Sequence, residues 1–212
     1  MGLEAAMEKL IAAKLRTVLD GQGLPNRSSW ETAPGTSFCS DWRAENRDPE
    51  RETRVQLLWS PADLFVRFQC RYREIFVSPD ANSRRDRLWL WDVAEVFIQS
   101  ESSEPRRYKE FEISPNGDWL DLDIAAGEKS ILFCDLKSRV VLDPTARIWI
   151  AELGIPFNAL TADFDPHEIW RLNLFRIEGQ EPNRFYSAWI PTCTPQPNFH
   201  VPEVFGTLHL GD

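Results

Sequence analysis

Carboxylates offer the first possible chemistry. Asp92 and Glu95 stand three residues apart beside Trp89 and Trp91, and Glu110 and Glu112 fall on one face of an extended segment. Two carboxyls about 5–10 Å apart across a glycosidic bond are what glycoside hydrolysis requires. Acids close in sequence do not make a cleft, however, and a charged strand face is ordinarily solvated. No catalytic residue is assigned on this basis. Hydrolysis through Asp92, Glu95 or Glu112 stands as the alternative to a binding role.

Aromatic residues beside polar ones form the second constellation. Arg87-Leu88-Trp89-Leu90-Trp91-Asp92 sets two Trp beside an acid just before a strand. Cys193–His200 is a proline-rich polar loop containing Gln196 and Asn198 and reaching Phe199. The C–H face of a sugar ring stacks on such aromatic faces, while its hydroxyls need carboxylate, amide or guanidinium partners at the edge. Any single Trp can equally be core. It is the clustering of rings and polar groups in loops that points to carbohydrate binding.

Other chemistries lack their residues. There is no phosphate-binding Gly-rich loop, no H-E-x-x-H and no G-x-S-x-G. His167, His200 and His209 show no metal-ligand spacing, and the only methionines, Met1 and Met7, leave no Met–His pair for haem among the strands. Cys39, Cys70, Cys134 and Cys193 are scattered and read as free thiols, although their even number permits disulfides in a secreted protein. With 33 acidic and 24 basic residues the formal charge is −9, opposite to what a phosphate backbone or an anionic membrane selects. Met1–Leu19 lacks the continuous apolar run of a secretory signal. The chain as written therefore reads as cytoplasmic, or as extracellular if a leader has been removed.

The elements that must position these residues are strands. Val66, Phe68, Cys70 and Tyr72 alternate with polar residues, and Ser60-Pro61-Ala62-Asp63 joins them to Thr53–Trp59 as a hairpin. Ala94–Gln99 puts Val96 and Ile98 on one face and Glu95, Phe97 and Gln99 on the other. Tyr108–Ser114 and Trp119–Asp123 flank the turn Pro115-Asn116-Gly117-Asp118. Arg147–Leu153, Trp170–Ile177, Phe185–Trp189 and Val204–Leu210 follow. Short strands between Pro, Gly, Asn and Asp clusters predict an all-β fold, a two-sheet antiparallel β-sandwich in one domain over 1–212. Residues 1–18 form an N-terminal extension. There, Leu3, Ala6, Met7, Leu10, Ala13 and Leu15 have a helix-like spacing that predicts a short helix over Leu3–Val18, unless its end is extended into the turn at Asp20 and Gly21.

Five blocks, in order, resemble the family-9 carbohydrate-binding modules. Trp89–Ile98 resembles W-x-x-D-x-[VA]-E-[IV]-F-[IL], and Tyr108–Gly117 the strand and turn that follow it. Trp149–Phe157 is similar to W-x-x-E-x-x-I-P-[FW]; Arg171–Arg176 around Asn173 and Asn198–Gly206 complete the set, with Leu19-Asp20-Gly21 and Trp30 as the opening. The resemblance implies a two-sheet sandwich that binds oligosaccharides or polysaccharide chain ends without cleaving them, in company with xylan- or cellulose-degrading O-glycosyl hydrolases. It implies stacking rings at Trp89 and Phe199, the latter where binding members have Trp. It also implies a hydroxyl-accepting carboxylate at Glu95 and places Gln196 near an amide position, and the polar loop that holds Gln196 adds Asn198 as a candidate sugar-binding residue. An Arg that contacts sugar in such modules falls at Glu112, with Lys109 close by, so two carboxylates compete beside the ligand and one pKa should rise. No cofactor is expected beyond the structural calcium common in such modules, for which no carboxylate cluster spells out a site.

Overall fold

A computed structural model describes residues 8–81, 83–100 and 103–212. Its strands are β1 (Lys9–Lys14), β2 (Gly35–Phe38), β3 (Thr53–Trp59), β4 (Asp63–Arg71), β5 (Val93–Gln99), β6 (Tyr108–Ile113), β7 (Trp119–Ala125), β8 (Glu128–Ile131), β9 (Lys137–Asp143), β10 (Ile148–Pro156), β11 (Trp170–Glu178), β12 (Phe185–Ala188) and β13 (Gly206–Leu210). The only α-helices among the described residues are the short α1 (Arg27–Glu31) and α2 (Phe157–Leu160). The all-β expectation holds, and β2, β8 and β9 add to the strands read from the sequence.

Two sheets pack face to face. The site sheet runs β8-β7-β6-β5-β11-β13-β1, with β12 also paired to β11; the back sheet runs β1-β3-β4-β10-β9, with β2 also paired to β3. Alternation explains the core. Ala94, Val96 and Ile98 of β5 and Leu172 and Leu174 of β11 meet Val66 and Phe68 of β4 and Trp149, Ala151 and Leu153 of β10 in one buried cluster. Trp149 is fully buried, so truncating it to Ala should cost about 3–5 kcal/mol. The tight turn at Gly117, whose φ is 88°, joins β6 to β7, as the Pro-Asn-Gly-Asp run predicts.

The N-terminal expectation needs correction. Lys9–Lys14 is a strand, not part of a helix, and the first seven residues lie outside the described ones. Leu10 and Ala12 are buried while Lys9 and Ile11 are exposed, a period of two rather than 3.6. Lys9–Ala12 pairs with β13, and Ala13–Lys14 with β3, so one strand closes the seam between both sheets. A helix would leave both edges open. Both pairings are parallel, which makes the sandwich mixed rather than wholly antiparallel.

Candidate functional site

The outward face of the site sheet is not solvated. Two cross-strand rows build it. Phe175, Glu95, Glu112 and Leu120 stand opposite one another from β11 through β5 and β6 to β7. Beside them run Asn173, Phe97, Glu110 and Leu122. Apolar residues of these rows join Tyr108, Phe199 and Phe205 in a second core, with Trp89 and Tyr186 packed against it.

The 189–205 loop roofs this face. Trp42 Nε1 donates to the Thr194 carbonyl at 2.9 Å, and Arg171 Nη2 to the Pro202 carbonyl at 2.9 Å, fixing the loop at both ends. Phe199 then stacks on Phe175, and His200 on Phe97 with centroids 5.2 Å apart. Trp89 sits on the short turn Leu88–Leu90, held by Arg184, whose guanidinium donates to the Trp89 carbonyl. Between roof and sheet lies a cavity of about 310 Å³. Trp89, Phe97, Tyr186 and Phe199 wall it, with Glu95 and Glu110 at its floor and Lys129, Asn198 and His200 also lining it. A wider depression of about 930 Å³ between Ser103–Lys109 and Asn158–Glu168 is lined largely by polar residues and borders residues outside the described ones.

Electrostatics at the floor are unusual. Glu95 and Glu110 are 2% exposed and Glu112 is fully buried. Burial pushes all three carboxyls above the ordinary range. Glu110 adds to the rise at Glu95, and Glu110 and Glu95 add to it at Glu112. Contact with Glu112 and the charge of Lys129 oppose the rise at Glu110. Lys129 Nζ lies 3.9 Å from Glu110 Oε2 and 3.0 Å from His200 Nε2, and its charge sits over the Trp89 ring. Burial, then Lys129, lowers the His200 pKa to about 4. A neutral imidazole accepting from Lys129 at Nε2 carries its hydrogen at Nδ1, 2.7 Å from the Tyr108 hydroxyl.

The structure thus brings Trp89, Glu95, Asn198 and Phe199 to one cavity. It does not bring Glu112 or Gln196 to that wall. Glu112 is sealed beside Glu95 in the sheet, and Gln196 is exposed, with its carbonyl accepting from Thr194 Oγ1. Asp92 does not line this cavity either; it is buried, accepting from Phe76 N at 3.1 Å and Gly179 N at 2.6 Å. Lys109 is paired with Asp123 at 2.7 Å on the other face of β6. Sequence reasoning missed Lys129, Tyr186 and the placement of His200. The parity of Glu110 with Glu112 was visible; Lys129 lies on β8, which has no clear alternation. Among the described residues, no group of three or more His, Cys, Asp or Glu side chains is placed to hold a metal ion.

No family model matches the sequence. An "Extracellular protein" of Arthroderma benhamiae is 24% identical over 183 residues, covering 78% of this chain and 81% of its own. The UPF0462 protein C4orf33 homolog of Rattus norvegicus is 27% identical over 124 residues, 56% of this chain and 58% of its own. Among solved structures, a family-9 carbohydrate-binding module from Caldicellulosiruptor kristjanssonii superposes with a TM-score of 0.67 at 15% identity, over 97% of both chains. This chain has the family-9 module fold. That module was solved with glucose; a further structure of a family-9 module from the same organism, with cellotriose, gives a TM-score of 0.65 at 15% identity over 96% of this chain and 94% of that one. A Bacteroides uniformis protein proposed to bind carbohydrate gives 0.77 at 16% identity over 97% and 100%. In the family-9 fold described here, the ring-walled cavity opens on the outward face of one sheet.

Proposed function

We propose that the protein is a non-catalytic carbohydrate-binding domain that takes the end of an oligosaccharide or polysaccharide chain, in the service of polysaccharide breakdown. One observation carries this reading: Trp89 and Phe199, from loops more than a hundred residues apart, wall a cavity with two carboxyls at its floor. Solved modules of this fold were captured with glucose and cellotriose. A sugar face laid on Trp89 removes ~60–100 Å² of apolar area from water, contributing roughly 1.5–2.5 kcal/mol. Glu95 and Asn198 supply hydroxyl partners.

The carboxyl cluster favours hydrolysis as a second reading, but its geometry is poor for it. Glu95 and Glu112 are a directly opposed cross-strand pair on one sheet face, whereas a hydrolase sets its two acids on either side of the bond. Titration calorimetry with cello- and xylo-oligosaccharides, run beside a reducing-sugar assay, tests both. Binding with a Kd of about millimolar to micromolar, without turnover, supports the proposal. Sugar release that is lost in Glu95→Gln, or no binding at all, overturns it.

A further inference from the structure

Glu95 Oε1 and Glu110 Oε2 are buried and have no hydrogen-bonding partner, although both side chains line the cavity. A buried acceptor without a donor is costly, and more so when it is charged. A ligand that brings a donor to these oxygens therefore gains more than it would at an exposed carboxylate.

A neutral hydroxyl and an ammonium both donate, and Lys129 distinguishes between them. Its Nζ lies 4.5 Å from the centroid of the Trp89 ring while standing 3.9 Å from Glu110 Oε2. One primary ammonium thus already finds an indole face and a carboxylate together in this cavity, the combination that attracts cations in aromatic pockets. Lys129 and Arg184 are the cations that act on this cluster, so ionising all three carboxyls would leave one negative charge uncompensated, and burial opposes that state until a further cation arrives. His200 does not supply it near neutral pH, because burial and Lys129 keep its imidazole neutral. The Tyr108 phenol beside it stays protonated, held so by burial and Glu110.

We infer that the cavity selects sugars carrying a free, protonated amine, such as the unacetylated 2-amino end of a hexosamine chain, with the ammonium at Glu95 and Glu110 and the ring against Trp89. The inference rests on the carbohydrate-binding reading and narrows its ligand class. Acetylation removes the charge and adds bulk, so N-acetylated sugars lose the advantage. The bound ammonium favours the ionised carboxyls, so protons leave the cluster on binding.

The test is calorimetric titration of the intact protein with short β-1,4 oligomers of glucosamine, N-acetylglucosamine and glucose. Working at about pH 5.5 keeps the sugar amines, which are weaker bases than a peptide α-amino group near 8, protonated. The glucosamine oligomer should bind at least tenfold more tightly than the glucose oligomer. Repeating it in buffers of different ionisation enthalpy should show proton release. The ratio of affinities should fall to about one in Glu95→Gln, and decline in Glu110→Gln, each checked for folding by thermal melting. Equal or tighter binding of the glucose oligomer overturns this inference and leaves the carbohydrate-binding reading standing. A preference that survives both in Glu95→Gln and in Trp89→Ala also overturns it, because it then reflects only the formal charge of −9. If no sugar binds, both readings fail.

Discussion

Phe199 lies flat on Phe175, with ring centroids 4.2 Å apart and planes 11° from parallel. One face of Phe199 is thereby committed to the protein, and the residue is only 7% exposed. Trp89 differs. It is half-buried, and one face carries the Lys129 ammonium. Each ring is thus both wall and packing element, in different proportion.

Phe199→Ala should therefore lose stability, by about 3 kcal/mol, as well as sugar affinity. Trp89→Ala should lose affinity about tenfold or more while melting closer to the parent protein. Urea unfolding and calorimetric titration on both variants check this. Equal destabilisation by the two substitutions would contradict the division of roles.

Stability should fall as pH rises above the ordinary carboxyl range. Glu95, Glu110 and Glu112 have folded pKa values raised above 4.5, so the folded chain holds protons that the unfolded chain has released. Their contribution is complete below about 4.5 and is lost as pH climbs through the folded values. His200, lowered from 6.5 to about 4, acts in the opposite sense between those limits. Cys70 and Cys134 join only above 9.0. Thermal melts taken as pH rises above about 4.5 should therefore show a smaller carboxyl-linked loss in Glu112→Gln than in the parent. A parent-minus-variant difference in melting temperature that grows with pH would refute the assignment.

Asp92 should prove structural. Asp92→Ala strips acceptors from two backbone N–H groups, those of Phe76 and Gly179, and should cost about 2–6 kcal/mol; Asp92→Asn, which keeps one oxygen, about 1–3 kcal/mol. Chemical denaturation measures both. Sugar affinity in folded Asp92→Asn should stay within about twofold of the parent, since Asp92 does not line the cavity.

Thiol labelling should be graded. Cys193 is exposed and Cys134 partly so, whereas Cys39 and Cys70 are buried, and burial raises the Cys70 pKa to about 11. Native protein should label first at Cys193. All four thiols should react once the chain is denatured without reductant, as mass spectrometry of the alkylated protein will show.

Local period decided much of this molecule. The alternation through Ala94–Gln99 and Tyr108–Ser114 places Glu95, Phe97, Glu110 and Glu112 on one side of their strands, because successive side chains point to opposite faces whatever the partner. The Pro-Asn-Gly-Asp turn likewise acts within a few residues. Pairing across the chain decided the rest. That Glu95 stands opposite Glu112, and that Lys129 comes to lie over Trp89, depends on register between separate strands and on how β8 extends the sheet. The N-terminal segment shows the same limit from the other side. Its apolar spacing fits a helix, yet β13 and β3 offer unpaired backbone along Lys9–Lys14, and satisfying those hydrogen bonds outweighs a weak local preference. Burial of the carboxyls is likewise tertiary: the roof that excludes water from Glu95 is drawn from residues 189–205, about a hundred positions away.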